Sequence, residues 1–265
     1  MKKVYLNFSF DDGRIDTFNV AYPLLKKYNM GMTLNATTGY IESGTYVDSN
    51  VTDIMPIDIN MLQKMSLDNN VEIAGHGHKH KNTEEDIVKG ISCLKKWLPN
   101  QSEWGFASPG TGLTIDNYHS IKESLKSEGI SYIRLSCRYL NHSRIKIFAR
   151  KLARLTHFPI LYRFAYQDTL MSEINDDILY SVPVLSDIKV KEIKSLINRA
   201  VKKKQACVLM FHSIVDKSEI HDAWDYDKEK FEKICRFINE YQRKGVLEVT
   251  TSMNIYKLLI ADKDV

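Results

Sequence analysis

A (β/α) barrel of six to eight units, closed or incomplete, is the fold this chain predicts, and three observations predict it. Short apolar runs of strand length alternate with amphipathic stretches of about 10–15 residues, as βαβ units around a parallel sheet do. Asp11, Asp12, His76, His80 and His212 each fall at or just beyond the C-terminal end of such a run, where barrel enzymes gather their reactive groups. The 265 residues, 43% hydrophobic and 26% charged, suit one domain over 1–265, and there are no repeats or low-complexity linkers.

The first strand, 4–10, runs into Ser9-Phe10-Asp11-Asp12-Gly13. Residues 18–28 follow as a helix with Phe18, Leu24, Leu25 and Tyr28 on one face, and 32–36 form the second strand. A variable stretch with Gly39, Gly44 and Pro56 leads to a helix over 59–66 and a strand over 71–74. The amphipathic helix 84–98 stops at Pro99-Asn100; 104–107 is a strand, 118–128 a helix ended by Gly129, and 130–135 a strand. Strands over 181–185, 207–212 and 246–250 and helices over 192–203 and 228–243 complete the alternation.

Composition narrows the function. A net charge of +4 is too small by itself to indicate nucleic acid, and no nucleic-acid module is recognisable. The opening Met-Lys-Lys-Val-Tyr-Leu-Asn-Phe reads as a strand, not a signal peptide, and no run approaches the roughly 20 apolar residues that cross a bilayer. Cys93, Cys137, Cys207 and Cys235 are scattered without a Cys-x-x-Cys spacing, which favours reduced thiols and a cytoplasmic location.

Adjacent carboxylates at a strand end raise each other's pKa, a cost that a neighbouring cation relieves. Asp-Asp-Gly also makes an ordinary turn, but this pair follows a buried-looking strand and closes no obvious hairpin. The functional reading gives Asp12 to a metal and Asp11 to proton transfer. Gly75-His76-Gly77-His78-Lys79-His80 spaces His76 and His80 so that one turn brings both imidazoles to one side. Its glycines favour a tight loop, with a solvated polar turn as the lesser alternative, and His78 points away as a bystander or support. Carboxylate plus two imidazoles suits one divalent metal, zinc first, with cobalt, nickel or iron as alternatives. His212 ends an apolar strand; alone it would be a rim residue, but beside a metal it is the natural general acid.

These residues resemble the motifs of the polysaccharide deacetylase family, the NodB-homology or carbohydrate esterase family 4 group. Ser9–Gly13 matches [T/S]-F-D-D-G, His76–His80 matches H-[S/T]-x-x-H with glycine at the hydroxyl position, and Met210-Phe211-His212 loosely matches a late L-x-H strand end. The resemblance implies a distorted (β/α)7-type barrel and a metal-dependent N- or O-deacetylase, read here as a hydrolase of amide bonds, with Asp12, His76 and His80 on the metal, Asp11 as base and His212 as acid. Two departures stand out. In R-x-P-[F/Y], whose arginine steadies the base, Ala107 occupies the arginine position of Ala107-Ser108-Pro109. A D-x-x-D-W-like segment is absent after 130–135, where Ser136-Cys137-Arg138 stands.

The expected substrate is an N-acylated sugar or glycan precursor, nucleotide-linked or lipid-linked, in surface polysaccharide assembly. Ser108, Pro109, Gly110 and Trp224 are expected to bind substrate, with backbone N–H groups around 108–112 meeting the oxyanion, and Tyr139, Trp224 and Tyr226 are candidates to stack on sugar rings. Between Gly129 and Gln167 the chain has no acidic residue but carries Arg134, Arg138, Arg144, Lys146, Arg150, Lys151, Arg154 and Arg163 among apolar side chains. This segment, about 136–167, reads either as an amphipathic helix docked on the barrel or as an insertion meeting an anionic partner such as pyrophosphate or a membrane surface. Alternatives are a catalytically silent, metal-containing barrel that binds glycan or lipid-linked sugar, and a metal amidohydrolase acting on a non-sugar amide.

Overall fold

The structure, a computed structural model, describes residues 3–46, 55–137 and 143–261. Strands β1 (Val4–Phe10), β2 (Met32–Ala36), β3 (Val71–Gly75), β4 (Trp104–Ala107), β5 (Ile130–Ser136), β6 (Ile178–Pro183) and β7 (Cys207–Phe211) run in order and in parallel, and β7 pairs back to β1 to close a seven-stranded barrel. An eighth strand, β10 (Leu247–Val249), joins β1 at Val4–Leu6, below the stretch Leu6–Phe10 that β7 occupies. The barrel is thinnest between β3 and β4, which share one register pair, Gly75 with Phe106, and the β4–β5 register slips between Trp104 and Gly105.

The alternation of β1 decides what the barrel contains. Successive side chains of a strand point to opposite faces. Phe8 and Phe10 pack edge-on against Phe231 of α9 (Lys228–Arg243), so this set faces the helical layer. Asn7, Ser9 and Asp11 therefore face inward. Asn35 of β2 donates to the Ser9 hydroxyl (2.8 Å) and to Asp11 Oδ1 (2.7 Å). At the floor, Glu72 accepts from the Tyr132 hydroxyl (2.7 Å), from Thr33 (2.9 Å) and from the Met253 N–H (2.9 Å) in the first turn of α10 (Ser252–Ala261). Burial raises the Glu72 pKa, while these donors and the positive end of α10 act against it.

Most expected elements are present, and the differences have local causes. The helix expected over 18–28 opens as a wider π-turn at Thr17–Ala21 before α1 (Tyr22–Lys27). Pro23 has no N–H to return to residue 19, and the Tyr22 N–H reaches back to Thr17 O. Helix α5 (Ile115–Ser127) starts three residues early because Thr114 caps it, accepting from the Asn117 N–H at 3.1 Å. Helix α2 (Thr38–Ser43) lies in the stretch read as variable, α10 was not anticipated, and β6 begins at Ile178, ahead of the expected 181. Helices α3 (Ile59–Ser66), α4 (Glu84–Trp97) and α8 (Val190–Lys203) sit close to expectation.

Between β5 and β6 the basic segment forms a hairpin of two helices, α6 (Arg144–Thr156) and α7 (Pro159–Tyr166), with His157 left-handed at the end of α6 (φ 52°). It is both an insertion and a docked amphipathic helix: α6 buries Ala149 and Ala153. Arg138, Tyr139 and Leu140 lie outside the described residues. A small parallel pair, β8 (Ser213–Val215) and β9 (Asp225–Asp227), follows β7 and sets the position of Trp224. All four cysteines are free and buried, and among the described residues no helix is long and apolar enough to cross a membrane.

Candidate metal and catalytic centre

The chain leaves β1 through two consecutive left-handed residues, Asp12 (φ 74°) and Gly13 (φ 77°). Aspartate adopts that conformation uncommonly, and backbone strain of this kind collects at functional sites. The turn separates the two carboxylates. Asp11 stays in the barrel mouth, where Arg134 Nη2 lies 2.7 Å from both of its oxygens. Asp12 turns its Oδ2 to Arg14, 3.0 Å from both Nε and Nη2, and leaves Oδ1 facing the histidines. Burial alone would raise both pKa values. Arg134 and the nearby histidines hold Asp11 below the ordinary value, and His76, His212 and Arg14 hold Asp12 well below it. Two guanidiniums thus supply much of the relief that the sequence reading assigned to a metal.

His76 follows β3 directly. Its Nδ1 lies 2.8 Å from the Ala107 carbonyl, which can only accept, so Nδ1 carries the proton and Nε2 is left for Asp12 Oδ1 at 3.5 Å. The loop beyond is shaped by Asp86, whose carboxylate accepts from the N–H groups of His78, Lys79 and Lys81. A side chain at Gly77 (φ 80°) would lie 2.5 Å from that carboxylate. His80, also left-handed (φ 56°), then returns its Nε2 to 3.4 Å from the same Oδ1. Burial, helped by His76, pushes the His80 pKa down to about 4, so its ring is neutral near pH 7. His78 faces the other way, with Nδ1 3.0 Å from the Thr38 hydroxyl and Nε2 4.0 Å from Glu42.

Asp12, His76 and His80 therefore bring one Oδ1 and two Nε2 atoms to one point, which a divalent cation would occupy in place of the proton that Asp11 and Asp12 favour on His76. A carbonyl behind His76 and a guanidinium behind Asp12 are the supports that metal ligands use. The donor set fits a divalent metal.

A cleft of about 720 Å³ opens above these groups, with Asp11, Asp12, His80 and His212 on its floor. His212 packs on Trp224 with ring centroids 4.3 Å apart, and its buried Nδ1 has no partner among the described residues. Burial lowers the His212 pKa, against the pull of Asp12 and Asp11. Ser108, Gly110 and Trp224 also line the cleft. Pro109 is buried beside them, and its carbonyl accepts from Asn82.

Several expectations are corrected. The Ser108 N–H goes to Arg134 O and the Gly112 N–H to Pro109 O, which narrows the expected oxyanion contacts to the Gly110–Thr111 peptides. Tyr226 is fully buried against Phe211 and takes no part in the cleft. Arg134 is not part of the exposed basic belt but an interior residue, 2% exposed. Asn35, Arg14 and Arg134 were missed as site residues. The available signal was an arginine inside the apolar strand Ile130–Ser136, because a charge buried there demands a partner.

Asp16 is the costly group of this region. Its Oδ2 accepts from the Ile214 N–H, its Oδ1 has no partner among the described residues, and burial raises its pKa to about 6. Below the unfolded value near 4 both states bind the proton, and the site costs nothing. As pH rises through about 6 the folded chain must bury a charge and stability is lost. Asp16→Asn is therefore expected to stabilise the protein by up to about 3 kcal/mol at pH 7.5 and by little at pH 4, read by urea denaturation. An equal shift at both pH values would contradict this cause.

Comparison places the chain among known proteins. The family model for polysaccharide deacetylase matches residues 1–127. No curated protein matches in sequence. Among solved structures, the Bc1960 peptidoglycan N-acetylglucosamine deacetylase is 12% identical over 96% of this chain and 89% of its own, with a TM-score of 0.52. Peptidoglycan deacetylase PdaC from Bacillus subtilis is 11% identical over 99% and 94%, with a TM-score of 0.50. At these identities they establish a shared fold. The chain spans 54% of the length of Streptococcus pyogenes deacetylase PplD, at 24% identity over 48% of its own residues and a TM-score of 0.38.

Proposed function

We propose, from the match of residues 1–127 to the polysaccharide deacetylase family model, that the chain is a metal-dependent deacylase removing an N-acyl group from a sugar or glycan precursor. One observation carries the reading: Asp11 is fixed by Arg134 and Asn35, beside the three-ligand set and on the same cleft floor as His212. The silent-barrel alternative drew its force from Ala107 standing where an arginine belongs. Arg134 delivers a guanidinium to the base from another strand and removes that ground.

A divalent cation bound by Asp12, His76 and His80 would polarise the acyl carbonyl and lower the pKa of the attacking water. Asp11, kept anionic by Arg134, takes the proton from that water as its oxygen adds to the acyl carbon. His212 gives a proton to the sugar nitrogen as the C–N bond breaks, releasing the carboxylic acid and a free amino sugar. Asn35 and Arg134 hold the Asp11 carboxylate in one orientation throughout.

The cleft favours an anionic substrate. Arg150, Lys151 and Arg154 of α6 form one wall, as a nucleotide- or lipid-linked sugar in surface polysaccharide assembly would require. Acetate and formate release from N-acylated sugars, nucleotide-sugars and lipid-linked sugars, with zinc, cobalt, nickel or iron added, tests the reading. Metal-dependent release that disappears in Asp11→Asn is expected; metal binding without release from any acceptor would return weight to the silent barrel. His212→Ala is expected to keep the metal and slow turnover about a hundredfold or more. Parent-rate turnover in that variant would remove His212 from the acid role.

A further inference from the structure

We propose that the α6–α7 hairpin docks the protein on an anionic lipid bilayer, with the cleft mouth beside the membrane surface. Seven of the ten exposed large hydrophobic residues among the described residues lie on this hairpin or its turn. On α6, Ile145, Phe148, Leu152 and Leu155 recur every three or four residues and make one stripe, with Phe148 65% and Leu155 80% exposed. Ile160 and Phe164 on α7, one turn apart, and Phe158 at the turn continue the apolar surface.

Charge identifies the occupant. Residues 143–166 hold six cations, Arg144, Lys146, Arg150, Lys151, Arg154 and Arg163, and no acid. Lys146 and Arg154 lean on Asp168 and Asp187, whereas Arg144, Lys151 and Arg163 meet no carboxylate among the described residues. Exposed apolar side chains flanked by unpaired cations are what an interfacial helix presents to anionic lipid. A second copy of this chain laid on the same face would set cations against cations.

The hairpin's place in the fold adds a consequence. Ile147, Arg150, Lys151 and Arg154 line the cleft, and Lys151 borders the apolar stripe, so the docked surface and the cleft wall adjoin on one helix. A docked molecule would meet its substrate at the headgroup level. That consequence rests on the deacylase reading; the docking itself does not.

Co-sedimentation with phosphatidylcholine vesicles, with and without about 30 mol% phosphatidylglycerol, tests the proposal with no need for activity. Binding is expected to the mixed vesicles, to weaken as salt rises from about 0.1 to 0.5 M, and to fall at least tenfold in the Phe148→Ser, Leu155→Ser double variant. Both residues are exposed, so that variant should keep the parent's deacylase rate on a water-soluble substrate. The absence of sedimentation with mixed vesicles would overturn the proposal. So would binding indifferent to the double substitution, or a concentration-dependent dimer that the substitution abolishes.

Discussion

Asp12→Asn is expected to lose metal and turnover together. The carboxylate supplies the Oδ1 on which His76 and His80 converge at 3.5 and 3.4 Å, and its charge offsets Arg14. An amide keeps the shape but neither the charge nor the affinity of the ligand atom. The drop in metal affinity should exceed the roughly 10–100-fold that loss of a supporting contact costs. Metal analysis after gel filtration and a turnover assay at saturating metal read the two losses separately. If zinc stays bound at full stoichiometry, Asp12 is not a ligand.

Arg134→Met is the second large effect, and it divides differently. Asp11 would be left buried without the Arg134 Nη2 that meets both its oxygens, so stability should fall by about 3–5 kcal/mol. Released from the guanidinium, the carboxylate also loses its fixed orientation, and kcat should drop about a hundredfold or more while the metal remains. Because the methionine variant could fail to fold, Arg134→Lys is its companion. It keeps the charge but gives up the planar guanidinium that joins Asp11 through Nη2 to Ser181 through Nη1, and should recover stability ahead of rate. Parent kcat in a folded Arg134→Lys or Arg134→Met protein would mean that the base needs no clamp.

The barrel was legible because its strands and helices differ in period. The runs at 4–10, 32–36, 59–66 and 104–107 needed only local pattern. The convergence of Asp12, His76 and His80 was legible for a related reason: the chain carries them in two short motifs, and the fold need only bring two strand ends together. Arg134 and Asn35 were not legible as site residues. They reach Asp11 from β5 and β2 across the barrel interior, and no spacing along the chain encodes that meeting. Arg14 was adjacent to the motif, yet its partner depends on the left-handed turn at Asp12. Tyr226 was over-read because an aromatic residue shows its ring, not its burial. Helix α10 was overlooked because its strongest reason for being there, the buried Glu72 beneath its first turn, lies about 180 residues away.

Strand β1 is bonded on three registers, to residues 32–34, 207–211 and 247–249. During synthesis only the first of these is available for most of the chain's emergence. At about 5–20 residues per second, the strand holding Asp11 waits on the order of 10–40 s for its remaining neighbours. Until then its edge is open to any passing strand, and the polar groups of the barrel interior have no enclosure. Completion is thus concentrated in the last quarter of the chain. A substitution there that slows the seating of β7 or β10 would show itself as low yield and aggregation, with normal turnover in the molecules that finish.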